Sequence, residues 1–119
     1  MVPIHSLEQL SNLKPNFDKI KKWSITNQVN GLYVYTKETY NSGLDFHARG
    51  FNPMTGLNED AATGVAAAAL SIVMRKSLTI EQGYFIGAPC VIDVLYVSNC
   101  RALVGGKARI NQDDIFITK

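Results

Sequence analysis

The feature that most constrains the fold is an apolar segment in the middle of the chain. Between Val65 and Met74 the only polar residue is Ser71, and positions 66–69 are four consecutive alanines. The helix predicted over Ala61 to Met74 therefore has no face suited to water, and such a helix is typically buried on all sides. Its alanines keep it thin, so surrounding backbone can approach closely. In a chain of 119 residues, the simplest enclosure is a sheet curled around the helix.

Two shorter helices are predicted near the N-terminus. Ser6 followed by Gln9 is a capping-box pattern, and leucines follow it on one helical stripe. Pro15 then interrupts this first helix. A second, amphipathic helix is predicted over Asn16 to Ile25. Its predicted inward-facing residues are Phe17, Ile20 and Trp23.

The rest of the chain favours strands. Two strand-forming segments, from Gly31 to Tyr35 and from Leu44 to Phe51, predict a hairpin. The segment Asn52 to Asp60 has turn chemistry throughout, with Pro53 and Gly56 inside it. Further strands are predicted over Ser77 to Tyr84, Cys90 to Val97 and Arg101 to Ile110.

These elements predict an α+β fold in a single domain over residues 1–119. An N-terminal helical segment occupies residues 6–26. A lobe then follows over residues 31–110, in which a mixed, mostly antiparallel, barrel-like sheet wraps around one buried central helix. A composition with 46% hydrophobic and 18% charged residues is sufficient for a packed core.

Charge and hydropathy exclude several classes of protein. A net charge of +2 is too small to indicate a nucleic-acid or acidic-membrane partner. The longest apolar run, Val65 to Leu70, is far shorter than the ~20 residues that span a bilayer. The first ten residues do not resemble a secretory signal peptide. We therefore expect a cytoplasmic protein with no membrane and no nucleic-acid partner.

The cysteines and histidines do not indicate a metal site. Cys90 and Cys100 are too few for a disulfide framework, and both lie in apolar strand-like sequence. His5 and His47 are far from each other and from either cysteine, without metal-ligand spacing. We expect no bound metal.

The candidate site is the start of the apolar helix. A helix N-terminus carries free backbone N–H groups and a partial positive charge, which suit a carboxylate or phosphate. Gly64 would let a ligand approach those amides without a side chain in the way. Asp60 would either cap the helix or exchange a proton with the ligand. Thr63 is a second potential cap.

The segment from Arg49 to Leu70, RGFNPMTGLNEDAATGVAAAAL, resembles the signature of the phenazine-biosynthesis PhzF-like family. That signature reads approximately R-x-F-x-P-x-x-G-x-x-E-D-P-A-T-G-S-A-A. Downstream, the segments 81–83, 87–89 and 104–108 resemble the remaining C-terminal landmarks of the family. The resemblance extends from about Ser6 to Ile110.

The resemblance implies a fold and a class of chemistry. Family members have the diaminopimelate-epimerase-like fold, in which two lobes face each other across a cleft, each a β-barrel around a central helix. They act without a metal or organic cofactor and move a proton on a small amino- or hydroxy-carboxylate. The named activity is isomerisation of trans-2,3-dihydro-3-hydroxyanthranilate.

The resemblance also implies roles for individual residues. Asp60 matches the C-terminal-lobe aspartate that contacts the substrate and assists the proton shift. Gly64 and Val65 match the pair whose backbone N–H groups hold the substrate carboxylate. Thr63 stands where related epimerases and racemases have an acid/base cysteine. A threonine hydroxyl does not ionise near pH 7, which disfavours racemisation by two thiols.

The sequence departs from the family at three positions and in length. Ala61 replaces a proline, Val65 replaces a serine, and Ala88 stands where an arginine is common. The match is to the C-terminal lobe, and the N-terminal lobe with its catalytic glutamate has no counterpart in this sequence. We therefore expect a second lobe, either separately encoded or supplied by a homodimer partner.

Two functions follow as hypotheses. The favoured interpretation is a cofactor-independent, PhzF-like isomerase lobe that needs a second lobe to complete its site. The alternative is a non-catalytic lobe that binds a small carboxylate, or the remnant of a split or truncated family member.

Overall fold

Seven strands form one mixed sheet in the computed structural model of the chain, which describes residues 1–107. The strands are β1 Val2–Pro3, β2 Leu32–Thr36, β3 Phe46–Asn52, β4 Leu57–Asp60, β5 Leu78–Gln82, β6 Cys90–Ser98 and β7 Arg101–Gly105. The helices are α1 Leu7–Asn12, α2 Phe17–Asn27 and α3 Gly64–Met74. The predicted α+β class is confirmed. None of the helices within residues 1–107 is long and apolar enough to span a membrane.

The sheet has the order β1-β2-β3-β5-β6-β7, and β4 pairs with β3 outside this path. The β1–β2 and β3–β5 pairs are parallel, and the other four pairs are antiparallel. The predicted mixed, mostly antiparallel sheet is therefore confirmed. Because two parallel strands cannot be joined by a tight turn, the chain between β3 and β5 crosses over through β4 and α3.

The predicted burial of α3 on all sides is wrong. Its Ala67 and Leu70 are fully buried, but the side chains of Val65 and Val73 are 85% and 68% exposed. Over residues 1–107, β1 and β7 do not pair with each other, so the described sheet is open and the barrel-like closure is not confirmed. The apolar composition of α3 is compatible with burial, but it does not determine how far a sheet extends around the helix.

The core has two parts, one on each face of the sheet. The larger part lies between α3 and strands β2, β3, β5 and β6, and it includes Tyr35, Phe46, Leu70 and Ile80. The smaller part, built on the buried residues Leu10, Val34 and Phe51, lies beneath α1 and α2. Residues that alternate along β2 and β3 therefore contribute to opposite faces.

Both N-terminal helices begin where the sequence predicts. The Ser6 hydroxyl accepts a hydrogen bond from the Gln9 amide at 3.1 Å, and Asn16 caps α2 in the same way. The inward orientation predicted for Trp23 is wrong, because this side chain is 48% exposed. The neighbouring Ser24 is buried in its place.

Other boundaries differ from the predictions in the second half of the chain. The segment Asn52 to Asp60 is not a turn throughout, since it contains a 3₁₀ turn over Pro53–Thr55 and then strand β4. Helix α3 begins at Gly64 and not at Ala61. The strand predicted over Arg101 to Ile110 is present as β7, and residues 108–110 lie outside the described part.

Buried Arg49 connects three elements. Its Nε and Nη2 donate to the Glu59 carboxylate at 3.1 Å and 2.7 Å, which joins β3 to β4. Its Nη1 donates to the carbonyl oxygens of Leu10 and Leu13 at 2.9 Å and 3.1 Å, at the end of α1. The guanidinium carbon also lies 5.0 Å from the centroid of the Phe51 ring. This one side chain therefore holds α1 against the sheet.

Glu81 holds the loop between β2 and β3. Its buried carboxylate accepts hydrogen bonds from the backbone amides of Tyr40 and Asn41 and lies 2.9 Å from His47 Nδ1. Burial raises the pKa of Glu81, but the hydrogen bonds from His47, Tyr40 and Asn41 outweigh it and lower the pKa below its ordinary value. The loop is therefore attached to the middle of the sheet by an ionised side chain.

Replacing Arg49 with Met should destabilise the whole domain. The substitution leaves the Glu59 carboxylate buried without its partner, and the carbonyl oxygens of Leu10 and Leu13 lose their hydrogen bonds from Arg49. We expect the free energy of unfolding to fall by about 3–5 kcal/mol, measured by urea denaturation. Lys21→Met on the exposed face of α2 is the control and should change the free energy of unfolding little. A loss below ~1 kcal/mol for Arg49→Met would contradict the role assigned to Arg49.

Candidate functional site

Asp60 lies at the end of β4, directly before the turn that leads into α3. Its backbone pairs with that of Gly50 in β3. One carboxylate oxygen accepts a hydrogen bond from the Ala62 amide at 3.3 Å, and the other accepts from the Thr63 hydroxyl at 3.0 Å. The carboxylate is thus held by its own turn, and it does not bond to the first amides of α3.

Thr63 is the residue that precedes the first turn of α3, but its side chain does not cap the helix. Its hydroxyl is turned towards Asp60 instead. Among the described residues, the backbone amides of Gly64 and Val65 donate to no protein acceptor. Two N–H groups at the positive end of the α3 dipole are therefore available to an anion.

The buried amide of Gln82 holds the site together. Its Nε2 donates to the Asp60 carbonyl oxygen and to the Thr63 hydroxyl, both at 2.9 Å. Its Oε1 accepts from the Thr63 amide at 3.2 Å and from the Tyr33 hydroxyl at 3.0 Å. Both donors and both acceptor positions of the amide are used, so Gln82 fixes the chain on either side of the turn.

Two glycines allow this close packing. A Cβ at Gly50 would lie 2.7 Å from the Thr63 hydroxyl and 3.2 Å from Gln82 Nε2. Gly83 has a φ of +85°, and a Cβ there would collide with the carbonyl oxygens of Ala61 and Ala88. Side chains at either position would push the turn away from β5.

A cleft of about 350 Å³ opens beside the start of α3. Thr63 and Val65 are among its lining residues, together with Tyr33 and Asn52. Asp60 and Gly64 do not line it. The structure therefore brings the four predicted site residues together at one helix start, but only two of them border this cleft.

Tyr33 and Gln82 are site residues that the sequence did not single out. Gln82 falls within the family landmark at residues 81–83, which offered a signal, whereas Tyr33 is one aromatic residue in a strand-forming segment. Burial raises the pKa of the Tyr33 phenol above its ordinary value of 10.0, and the nearby Asp60 carboxylate contributes less. The Tyr33 hydroxyl therefore remains a hydrogen-bond donor to Gln82 in the folded chain.

Family models identify the group of proteins to which this chain is related. Residues 1–107 match the model described as phenazine biosynthesis-like protein. The chain belongs to this PhzC/PhzF family, and the resemblance noted in the sequence is confirmed.

Two curated relatives are named as isomerases. An uncharacterized isomerase of Clostridium acetobutylicum is 40% identical over 105 residues, which cover 79% of this chain and 35% of the relative. An uncharacterized isomerase of Deinococcus radiodurans is 29% identical over an alignment of 130 positions, which covers 97% of this chain and 41% of the relative. The chain thus spans well under half the length of these relatives.

A solved structure confirms the fold. A phenazine biosynthesis protein of the PhzF family from Bacillus anthracis superposes with a TM-score of 0.66 at 20% identity, over 86% of this chain and 39% of that one. The chain therefore has a PhzF-like fold.

The raised pKa of Tyr33 should make the chain less stable at high pH. Above pH 10 the unfolded chain loses the phenol proton while the folded chain retains it, so the free energy of unfolding falls as pH rises. In Tyr33→Phe this contribution is absent, and the fall should be shallower by up to ~1.4 kcal/mol per pH unit.

Urea denaturation between about pH 9 and pH 11 measures how steeply the free energy of unfolding falls with pH for each variant. Tyr40→Phe, at a tyrosine with 55% of its surface exposed, is the control. Equal slopes for Tyr33→Phe and the unchanged chain would contradict the buried, protonated phenol.

Proposed function

We propose that this chain is the C-terminal lobe of a PhzF-type isomerase and binds a small amino- or hydroxy-carboxylate at the start of α3. The observation that carries the proposal is the pair of free amides at Gly64 and Val65, beside the oriented carboxylate of Asp60. Membership of the family and the isomerase names of its relatives support the same reaction class.

Each of the four site residues has a role in this proposal. The substrate carboxylate accepts hydrogen bonds from the Gly64 and Val65 amides, and the helix dipole favours its negative charge. Asp60 contacts the substrate and transfers the proton. Thr63 does not act as an acid or base; its hydroxyl orients the Asp60 carboxylate. No metal or organic cofactor takes part.

A second lobe completes the proposed site. A proton shift along a substrate needs a group that removes a proton and a group that returns it, each within hydrogen-bond reach. Asp60 supplies one such group. We propose that the other comes from a facing lobe, supplied by a separate chain or by a second copy, and that the protein acts in the cytoplasm.

A non-catalytic carboxylate-binding lobe is the second candidate. Its supporting observation is Val65, which stands at the family's serine position and presents an 85% exposed apolar side chain. Such a residue keeps its backbone N–H but offers no hydroxyl to a substrate. In this function the chain holds the ligand without turning it over.

Binding and proton transfer can be measured on the same sample. With trans-2,3-dihydro-3-hydroxyanthranilate as the probe, we expect saturable shifts of the Gly64 and Val65 amide signals in ¹⁵N–¹H spectra. In D₂O, mass spectrometry should show solvent deuterium entering the ligand. Asp60→Asn should preserve the amide shifts but slow deuterium incorporation by ~100-fold or more.

Asp18→Asn, on the exposed first turn of α2, is the matched control and should behave as the unchanged chain. Amide shifts without any deuterium uptake would exclude a site completed by a second copy of this chain. They would support either the non-catalytic candidate or a second lobe on a separate chain. Unshifted Gly64 and Val65 signals at saturating probe would contradict both functions.

A further inference from the structure

Two residues between α2 and β2 form an asparagine–glycine pair outside any helix or strand. Gln28 follows the end of α2, and the Val29 amide closes that helix with a hydrogen bond to the Ser24 carbonyl oxygen at 3.0 Å. The chain then passes through Asn30, which is exposed, and Gly31 into β2. This is the one place in the sequence where a glycine follows an asparagine.

Packing requires a glycine after Asn30. A Cβ at Gly31 would collide with the Phe51 carbonyl oxygen and would lie 2.8 Å from Asn52 Oδ1, so no side chain fits there. The absence of a side chain leaves the Gly31 amide nitrogen unshielded. Among the described residues, this amide donates to no acceptor and the Asn30 side chain forms no hydrogen bond. Both groups are therefore free to react with each other.

We infer that Asn30 deamidates spontaneously through a succinimide. The Gly31 nitrogen, after its proton passes to water, attacks Cγ of the Asn30 side chain. A bond forms between that nitrogen and Cγ, the Cγ–Nδ2 bond breaks, and the side-chain nitrogen takes a proton from water and leaves as ammonia. A water molecule then opens the ring at either carbonyl carbon, which gives aspartate or isoaspartate. The reaction needs no oxidant, reductant or enzyme.

Hydrogen bonds protect other asparagines from the same reaction. The backbone amide that follows Asn27 donates to the Ile25 carbonyl oxygen at 3.3 Å, so it is not free to attack. Asn27 Nδ2 also donates to the Trp23 carbonyl oxygen at 2.8 Å, which holds the side chain against α2. Asn41 Nδ2 is held in a similar way by the buried carboxylate of Glu81. The fold therefore directs deamidation to the asparagine–glycine pair.

Deamidation of Asn30 places a new negative charge in the cleft beside α3. Asn30 and Gly31 line this cleft together with Thr63 and Val65. None of the described side chains that line the cleft is charged at neutral pH. The product at position 30 therefore adds a carboxylate, which repels a carboxylate ligand. This effect on binding rests on the proposed function, whereas the deamidation itself does not.

Peptide mapping by mass spectrometry tests the deamidation. The folded chain is held in mildly alkaline buffer, sampled over time and digested with trypsin, which releases residues 23–37 as one peptide. We expect the small mass increase of an NH₂-to-OH exchange to accumulate at Asn30. Asn27, in the same peptide, is the internal control and should stay unmodified. Asn30→Gln should accumulate far less product, because its longer side chain closes a six-membered ring less readily.

A sample unfolded in urea shows that the conditions suffice for the reaction, since the free asparagine–glycine pair should be modified there. Asn30 that stays intact in the folded chain would overturn the inference. Equal modification of Asn27 and Asn30 in the folded chain would overturn it as well, because the fold would then not direct the reaction.

Asn30→Asp tests the effect on binding. With trans-2,3-dihydro-3-hydroxyanthranilate as the probe, its Kd from the Gly64 and Val65 amide signals should be about 2–5-fold higher than that of the unchanged chain at low salt, and the difference should shrink as salt is added. Asn12→Asp, at the exposed end of α1, is the matched control and should leave the Kd unchanged. Equal Kd values for Asn30→Asp and the unchanged chain would overturn the effect on binding. An unchanged chain that binds no probe would contradict the proposed function and with it this effect, while the mass measurement would still decide the deamidation.

Discussion

The candidate site depends on one buried side-chain amide. Gln82 uses all of its hydrogen-bonding capacity within the protein, on Asp60, Thr63 and Tyr33. A buried amide that lost any of these partners would keep an unsatisfied polar group at a cost of about 1–3 kcal/mol. The turn before α3 therefore has one favourable position relative to β5. The orientation of the Asp60 carboxylate follows from that position and not from the helix itself.

The fold could be predicted from the sequence where local chemistry decides the structure. The Ser6 cap, the β2–β3 hairpin and the α+β class all follow from patterns within a few residues. The burial of α3 could not be predicted in the same way, because exposure depends on which strands lie around a helix. Trp23 shows the same limit. A helical stripe indicates that one face is apolar, but packing against β3 and the first 3₁₀ turn determines which residues are covered.

The site could be predicted only in part. Asp60 and Gly64 could be predicted because they lie in one continuous segment, in which an acidic residue precedes the start of a helix. Gln82 and Tyr33 come from strands that are 22 and 27 residues away from Asp60 in the chain. The landmark at residues 81–83 marks Gln82, but neither segment indicates that the two side chains meet at the helix start. The β2–β3 pairing brings Tyr33 there. The long-range pairing of β3 with β5, which a single sequence does not show, brings Gln82.

Glu81 and Gln82 are consecutive residues of β5 whose side chains point to opposite faces of the sheet. The Glu81 carboxylate accepts a hydrogen bond from the Tyr40 amide in the loop between β2 and β3. The Gln82 side chain accepts one from the Thr63 amide in the turn before α3. If β5 slipped by one position against β3, both side chains would leave their partners at once and bury unsatisfied polar groups. An apolar strand would tolerate such a slip far better. The two polar residues thus disfavour a misregistered pairing of β5 with β3, a role distinct from any chemistry at the site.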